Sequence, residues 1–184
     1  MEYFDVYNKY GEKTGATIER KDAHREGTLH RTVYLWILNQ NNEILIQQRS
    51  ANKEANPNLW HVSVAGHIGT QESIEDTLIR ETREELGLDI SHLTDGITYL
   101  YTFAERSVLN DGEYIDNEIY DVFVLKSDFD IDQVVMQEEE VQAVKYIKFG
   151  ELKEAIINND ESFWIDKVGS KMLIVALEDF LALG

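Results

Sequence analysis

Residues 66–88 read GHIGTQESIEDTLIRETREELGL, and the second half of that stretch decides both fold and chemistry. Ser73 is placed as a helix N-cap with Asp76 three residues on, as in a capping box, and Gly87 as the C-terminal stop, so the spacing predicts a helix over 73–86. At ~100° per residue, Ile74, Leu78, Ile79, Thr82 and Leu86 fall on an arc of roughly 140°, the side that such a helix buries. Glu81 and Glu85 border that arc as an i, i+4 pair, with Glu84 on the neighbouring row. A Glu-rich helix is ordinarily a solvated face, and Arg80 and Arg83 fit that reading. Position argues otherwise for Glu81 and Glu85: like charges beside a buried stripe repel and lose hydration unless a cation sits between them. Hard carboxylate oxygens, in a chain without cysteine, suit Mg²⁺ or Mn²⁺.

Outward from that helix, strands and helices interleave. Tyr3–Tyr7 and Thr14–Ile18, around the turn-forming Asn8-Lys9-Tyr10-Gly11, read as an N-terminal β-hairpin. Thr32–Leu38 and Ile44–Gln48, flanking Asn39-Gln40-Asn41-Asn42, read as a second hairpin near the sheet centre. Trp60–Val64 is expected as a strand and Ala65–Gln71 as a loop. Beyond the helix, strands are expected over Ile97–Ala104 and Glu118–Leu125, separated by a hydrophilic loop carrying Asn110-Asp111-Gly112. A strand over Val141–Phe149, a short helix over Glu151–Ile157 and a longer one over Phe163–Leu181 complete the pattern, the last with Ile165, Val168, Met172 and Ala176 on one face. This order implies an α/β domain with a mixed sheet covered by helices. Repeats, low-complexity stretches and Gly/Pro/Ser-rich linkers are absent, so a single domain over residues 1–184 is expected.

The chain carries 17 Lys+Arg against 35 Asp+Glu, a formal net charge of −18. Binding of a bare nucleic-acid polymer is excluded, because phosphate contacts need clustered Lys and Arg. A phosphate-bearing ligand here needs a cation as intermediary. The lack of cysteine removes disulfides, thiolate metal sites and thiol catalysis. No secretory h-region opens the sequence and no run approaches the ~18 apolar residues of a membrane span. A soluble cytoplasmic protein with no membrane partner is expected, and a homodimer is the working assembly.

Gly66-x5-Glu72-x7-Arg80-Glu81-Thr82-Arg83-Glu84-Glu85-Leu86-Gly87-Leu88 resembles the Nudix box in every fixed position. The resemblance implies a Nudix-like α/β/α sandwich and a metal-dependent hydrolase of nucleoside diphosphate derivatives or related organic pyrophosphates. It implies Glu81, Glu84 and Glu85 as metal ligands, Glu81 as a candidate for polarising the attacking water, and the carbonyl of Ala65 or Gly66 as a further ligand. It also implies a Glu72–Arg80 pair that holds the loop–helix–loop shape. One departure is Gln71, where the family commonly has a glycine.

A second similarity, over roughly Arg20 to Met172, is to type I isopentenyl-diphosphate isomerase, a branch of the same fold. His24 and His30 resemble that enzyme's first two histidine ligands and His67 its third. Asp116-Asn117-Glu118 is similar to an acidic triplet supplying ligands and an acid/base glutamate, Glu118. Arg49 and Lys53, ahead of Pro57-Asn58-Leu59-Trp60, resemble its diphosphate-binding cations, and Trp164 its carbocation-facing tryptophan. The isomerase places a cysteine before the Gly-His pair, where this chain has Ala65, which cannot exchange a proton. It also lacks a glutamate at the position of Glu81. Both differences imply hydrolysis, with Glu81 or Glu118 taking the proton of water and Arg49 and Lys53 balancing charge on the leaving phosphate. His24, His30 and His67 then read as a second cation site or as substrate contacts. The alternatives are the isomerase itself and a non-catalytic nucleotide-binding regulatory module.

Overall fold

The computed structural model describes residues 1–166 and 168–183. Strand β1 (Tyr3–Tyr7) and strand β2 (Lys13–Glu19) form the expected N-terminal antiparallel hairpin, followed by helix α1 (Arg20–Glu26). The main sheet is built on β3 (His30–Leu38), whose nine residues alternate between two cores. Val33, Leu35 and Ile37 face one, and Tyr34, Trp36 and Leu38 the other. Beside β3 run β4 (Glu43–Arg49), β5 (Trp60–His61) and β6 (Val64–His67).

Helix α2 (Ile74–Leu86) covers the first core through Leu78 and Leu86. Ser73 Oγ accepts the Asp76 N–H at 3.1 Å, and Gly87 ends the helix in the left-handed conformation at φ 68°. Strands β7 (Ile97–Leu109), β8 (Tyr114–Lys126) and β9 (Val141–Lys148) complete the sheet. Helices α3 (Phe149–Asn158) and α4 (Gly169–Leu183) cover the second core through Leu152, Ile156, Leu173 and Leu177. The path β5-β4-β3-β8-β7, with β6 also on β3 and β9 also on β4, is mixed: β3 and β8 are parallel and the other pairs antiparallel. The fold is the α/β/α sandwich implied above. No helix among the described residues is long and apolar enough to cross a membrane.

Four expectations change. The strand read over Trp60–Val64 is two strands, because β3 and β4 pair only near their turn, at Ile37↔Leu45 and Leu38↔Ile44, and the chain crosses between them. Residues Trp60 and His61 pair with β4, then Val64–His67 pair with β3. At the crossing, Ser63 Oγ accepts the Ile37 N–H at 2.8 Å and donates to the Leu45 carbonyl, so one buried hydroxyl bonds both strands. The expected loop over Ala65–Gln71 is therefore strand as far as His67. The hydrophilic loop between Ala104 and Glu118 is mostly strand as well: β7 and β8 stay paired from Ile97↔Leu125 to Leu109↔Tyr114. That arm carries many exposed β7 residues, so the sequence lacks the apolar alternation that marks a strand.

The helix expected from Phe163 begins only at Gly169. Trp60 N–H donates to Ser162 O at 2.8 Å and Trp164 N–H to Trp60 O at 2.9 Å, which holds this segment extended against β5. Ile165 and Val168 precede the helix rather than sharing its face, and Lys167 lies outside the described residues. Gly169 starts the helix where a Cβ would come within 2.3 Å of the Phe103 ring.

Ser63→Ala should cost about 1–3 kcal/mol, since the buried Ile37 N–H loses its acceptor. Urea unfolding checks this, and an unchanged midpoint would show that the crossing does not depend on the hydroxyl.

Candidate active site

The end of β6 separates two groups of side chains. Ala65 packs toward the core covered by α3 and α4, and Val64 toward the one covered by α2; by the two-residue period His67 follows Ala65 and Gly66 follows Val64. Glu81 of α2 lies where a side chain on residue 66 would be: a Cβ there would meet its Cγ and Cδ at 2.1 Å. Glycine at 66 is a packing requirement of Glu81. Its carbonyl, a candidate ligand, accepts the Thr32 hydroxyl at 2.6 Å.

Arg80 organises the rest of the motif. Its Nε and Nη2 donate to the two oxygens of Glu72 at 2.7 and 2.9 Å, and Nη2 also to the His67 carbonyl at 3.1 Å. Nη1 donates to Glu81 at 2.6 Å and to Glu84 at 3.1 Å. Glu72 in turn accepts the Gly69 N–H at 3.0 Å, so the expected Glu72–Arg80 pair closes the loop onto the helix. Gln71, the departure from the motif, has φ 66°. Glycine suits that left-handed backbone best, and glutamine adopts it at a steric cost.

Glu85 is buried at the floor of this group. Its Oε2 accepts Gln47 Nε2 at 3.0 Å and the Ala65 N–H at 3.2 Å. Burial, reinforced by the charge of Glu81, pushes its carboxyl up to about 8. Burial likewise raises Glu81 to about 7, with Arg80 opposing and Glu84 adding to the shift. A buried and a half-buried acid so displaced fit a site that takes a divalent cation. Glu84 is exposed and shares Arg80 Nη1 with Glu81.

On the other side of β6, register does the assembly. His30 of β3 lies opposite Glu118 of β8, and Thr32 opposite His67. Potential ligand atoms of His24, His30, His67 and Glu118 lie within 4.8 Å of one another, the one such group among the described residues. His30 Nε2 is 3.1 Å and His67 Nε2 3.0 Å from the same oxygen, Glu118 Oε1. His30 Nδ1 lies 2.8 Å from the Thr28 carbonyl and so carries a proton, which turns Nε2 toward the carboxylate. Burial opposes charging His30, but Glu118 and Asp116 outweigh it and raise its pKa. His67 is pushed down to about 4 by burial. Burial alone would raise Glu118, yet His67 and His30 hold it well below the usual carboxylate range.

Asp116 Oδ1 stands 3.2 Å from His24 Nδ1. Two aromatic residues with no motif to announce them complete the group: Phe4 stacks on His30 and His67 at 4.8 and 4.6 Å, and Tyr114 stacks on His24 at 4.4 Å. Gln47 was also illegible from the motif, although a polar residue closing the apolar run Ile44-Leu45-Ile46 is a signal for it.

Both groups, apart from the buried His30, Phe4 and Gln47, line one cleft of about 1250 Å³, together with Arg49, Lys53 and Trp164. Arg49 lies over the Trp164 ring at 4.8 Å while its Nε and Nη2 donate to the Ala55 carbonyl at 3.1 and 2.9 Å. Lys53 is ion-paired with Glu140. The two cations are thus at the cleft but internally engaged. Trp36 is core, and Trp164 is cleft wall.

The NUDIX domain matches residues 28–166. Nudix hydrolase 3 of Arabidopsis thaliana is 35% identical over 165 residues, covering 88% of this chain and 21% of that protein, so the chain spans about a fifth of that relative's length. An isopentenyl-diphosphate Delta-isomerase of Salmonella arizonae is 32% identical over 117 residues, 63% of this chain and 62% of that one. In fold, a crystal structure from Deinococcus radiodurans is similar with TM-score 0.67 at 24% identity, covering 88% of this chain and 92% of its own. With the motif, its Glu72–Arg80 clamp and the Gly66–Glu81 contact in place, the chain belongs to the NUDIX domain family.

Proposed function

We propose that this chain hydrolyses a diphosphate linkage in a nucleoside diphosphate derivative or related organic pyrophosphate, with Mg²⁺ or Mn²⁺. The observation that carries the reading is the packing of half-buried Glu81 on Gly66 next to buried Glu85, in a cleft that Arg49 and Lys53 also line. Glu81, Glu85 and Glu84 would hold the ion, Glu84 after release from Arg80, with a carbonyl of residue 65 or 66. When bound, a divalent cation there neutralises phosphate oxygens and acidifies a coordinated water. Glu81, near 7, is better matched than Glu118 to accept a proton at neutral pH, because Glu118 is held low by its histidines. Arg49 and Lys53 would stabilise charge on the leaving phosphate, Lys53 exchanging Glu140 for it.

One observation favours isomerisation of isopentenyl diphosphate as a second reading: the convergence of His24, His30, His67 and Glu118. Against it stands Ala65, whose methyl group offers no exchangeable proton beside the cleft. In the hydrolase reading these histidines, with Asp116, serve a second cation.

Glu85→Gln should lower Mg²⁺-dependent phosphate release by about 10²-fold or more while preserving the fold, because a glutamine oxygen still accepts from Gln47 and Ala65. A panel of nucleoside diphosphates, nucleotide sugars, dinucleotides and prenyl diphosphates tests it. Wild-type rates in the variant, or conversion of isopentenyl to dimethylallyl diphosphate without phosphate release, would overturn the reading.

Stability should respond to the same residue. A carboxyl raised from 4.5 to about 8 binds more protons folded than unfolded, so the metal-free protein loses stability as pH rises from about 5 to about 8. Excess Mg²⁺ at pH 8 should restore it. Thermal melts across that range should be flatter for Glu85→Gln, with a smaller Mg²⁺ gain; identical profiles would disconnect Glu85 from the cation.

A further inference from the structure

Away from the cleft, helix α4 has a second apolar side. It buries Leu173 and Leu177 in the core, yet Met172, Val175 and Leu183 on its outer side stay exposed, Val175 at 58%. With Phe180 and with Leu100 and Tyr101 of β7, they line a groove of about 610 Å³ between α4 and the edge of the sheet. Apolar residues scattered singly over a surface need no explanation, but a contiguous apolar groove marks a place where something docks.

Two features choose the occupant. Strand β7 ends the sheet, and its outer edge is unpaired among the described residues. Beside the groove, however, Leu100 is an extra residue between the pairs Tyr99↔Phe123 and Tyr101↔Val122. Such a bulge breaks the ladder that an added strand would extend, so the groove suits a helix.

The charged residues that line the groove are Lys171 and Asp179. Neither side chain has an ion-pair or hydrogen-bond partner among the described residues, whereas the adjacent Glu178 is paired with Lys153 at 2.5 Å. Lys171 and Asp179 stand four residues to either side of Val175, about 6 Å along the helix axis and about 40° around it in opposite senses. A two-fold axis through Val175, perpendicular to the helix, therefore sets Lys171 of one copy against Asp179 of the other at both ends, with the two Val175 side chains between them. The groove's own charges cancel in a chain of net charge −18, so two copies meet there without the repulsion that the rest of the surface imposes.

We propose that this groove is the interface of a two-fold homodimer, in which α4 packs antiparallel on α4 of a second copy about Val175 and Lys171 pairs with Asp179 across the axis. The groove shares no lining residue with the cleft, so the proposal stands apart from the hydrolase reading.

Sedimentation equilibrium of the whole chain, from low-micromolar to submillimolar concentration, should show a monomer–dimer equilibrium. Val175→Glu, at an exposed site that leaves the core alone, should abolish it. Lys171→Glu sets like charges together at both ends and should raise the dimer Kd by about tenfold or more, and adding Asp179→Lys should restore it. Because the chain has no cysteine, Val175→Cys introduces a single thiol, and mild oxidation should join two copies through it. Val108→Cys, equally exposed near the far end of β7, should not cross-link. A single-chain mass at every concentration, or uptake of an apolar dye by a groove that never dimerises, overturns the proposal. So does a dimer indifferent to these substitutions, or a double charge variant as weak as Lys171→Glu alone.

Discussion

The contact between Glu81 and Gly66 is the constraint on which the rest of the site depends. A carboxylate can approach the β6 backbone so closely only because residue 66 has no side chain, and that approach sets half-buried Glu81 beside buried Glu85. Everything nearby serves to hold acids where acids are costly. Arg80 clamps Glu72 and touches Glu81 and Glu84, the Ala65 N–H and Gln47 amide bond Glu85, and Gly87 stops the helix one residue after Leu86. The strain is electrostatic rather than steric. Burial raises the carboxyls of Glu81 and Glu85 to about 7 and about 8, so charging them is costly unless a cation lies close by.

Strand β3 distributes these parts. Because its side chains alternate strictly, one face packs on α2 and the other on α3 and α4, and a neighbour on each side extends the rule. Antiparallel pairing with β6 sets His67 beside Thr32, and parallel pairing with β8 sets Glu118 beside His30. The result is a cleft with box glutamates from one layer and, facing them, His67 and Glu118 from the sheet with His24 from α1. A slip of one residue in either pairing would turn His67 or Glu118 to the opposite face and dissolve the cluster.

Legibility in the sequence followed how local each signal was. Helix α2 could be read from Ser73 to Gly87 because cap, period and stop lie within one segment. The acidic pair could be read because its position at the edge of the buried arc was at odds with its charge. The division of Trp60–His67 into two strands could not, since it depends on where β3 and β4 part and on Ser63 bonding both. The β7–β8 arm was hidden by exposed polar residues that pair through backbone alone. Phe4 and Tyr114 were hidden for another reason: they reach the histidines from elements far away in sequence, and an aromatic residue in a strand announces only burial. Even Gln71, visible as a departure, gained meaning only from its φ of 66°.

The two groups of ligands in one cleft bear on how this fold separates chemistries. An isomerase must move protons on and off carbon, which calls for an acid and a base flanking a hydrocarbon; a hydrolase must tame phosphate charge and aim water. Here the cluster of His24, His30, His67 and Glu118 is intact while the residue before Gly66 is alanine. A cation held by the histidines would serve either chemistry, because both substrates carry a diphosphate. What differs is the wall that meets the organic moiety. Ala65 puts a methyl group on that wall where the isomerase places a cysteine, which removes an exchangeable proton from it. The choice between reactions therefore lies in the lining of the cleft, and the ligand cluster alone does not make it.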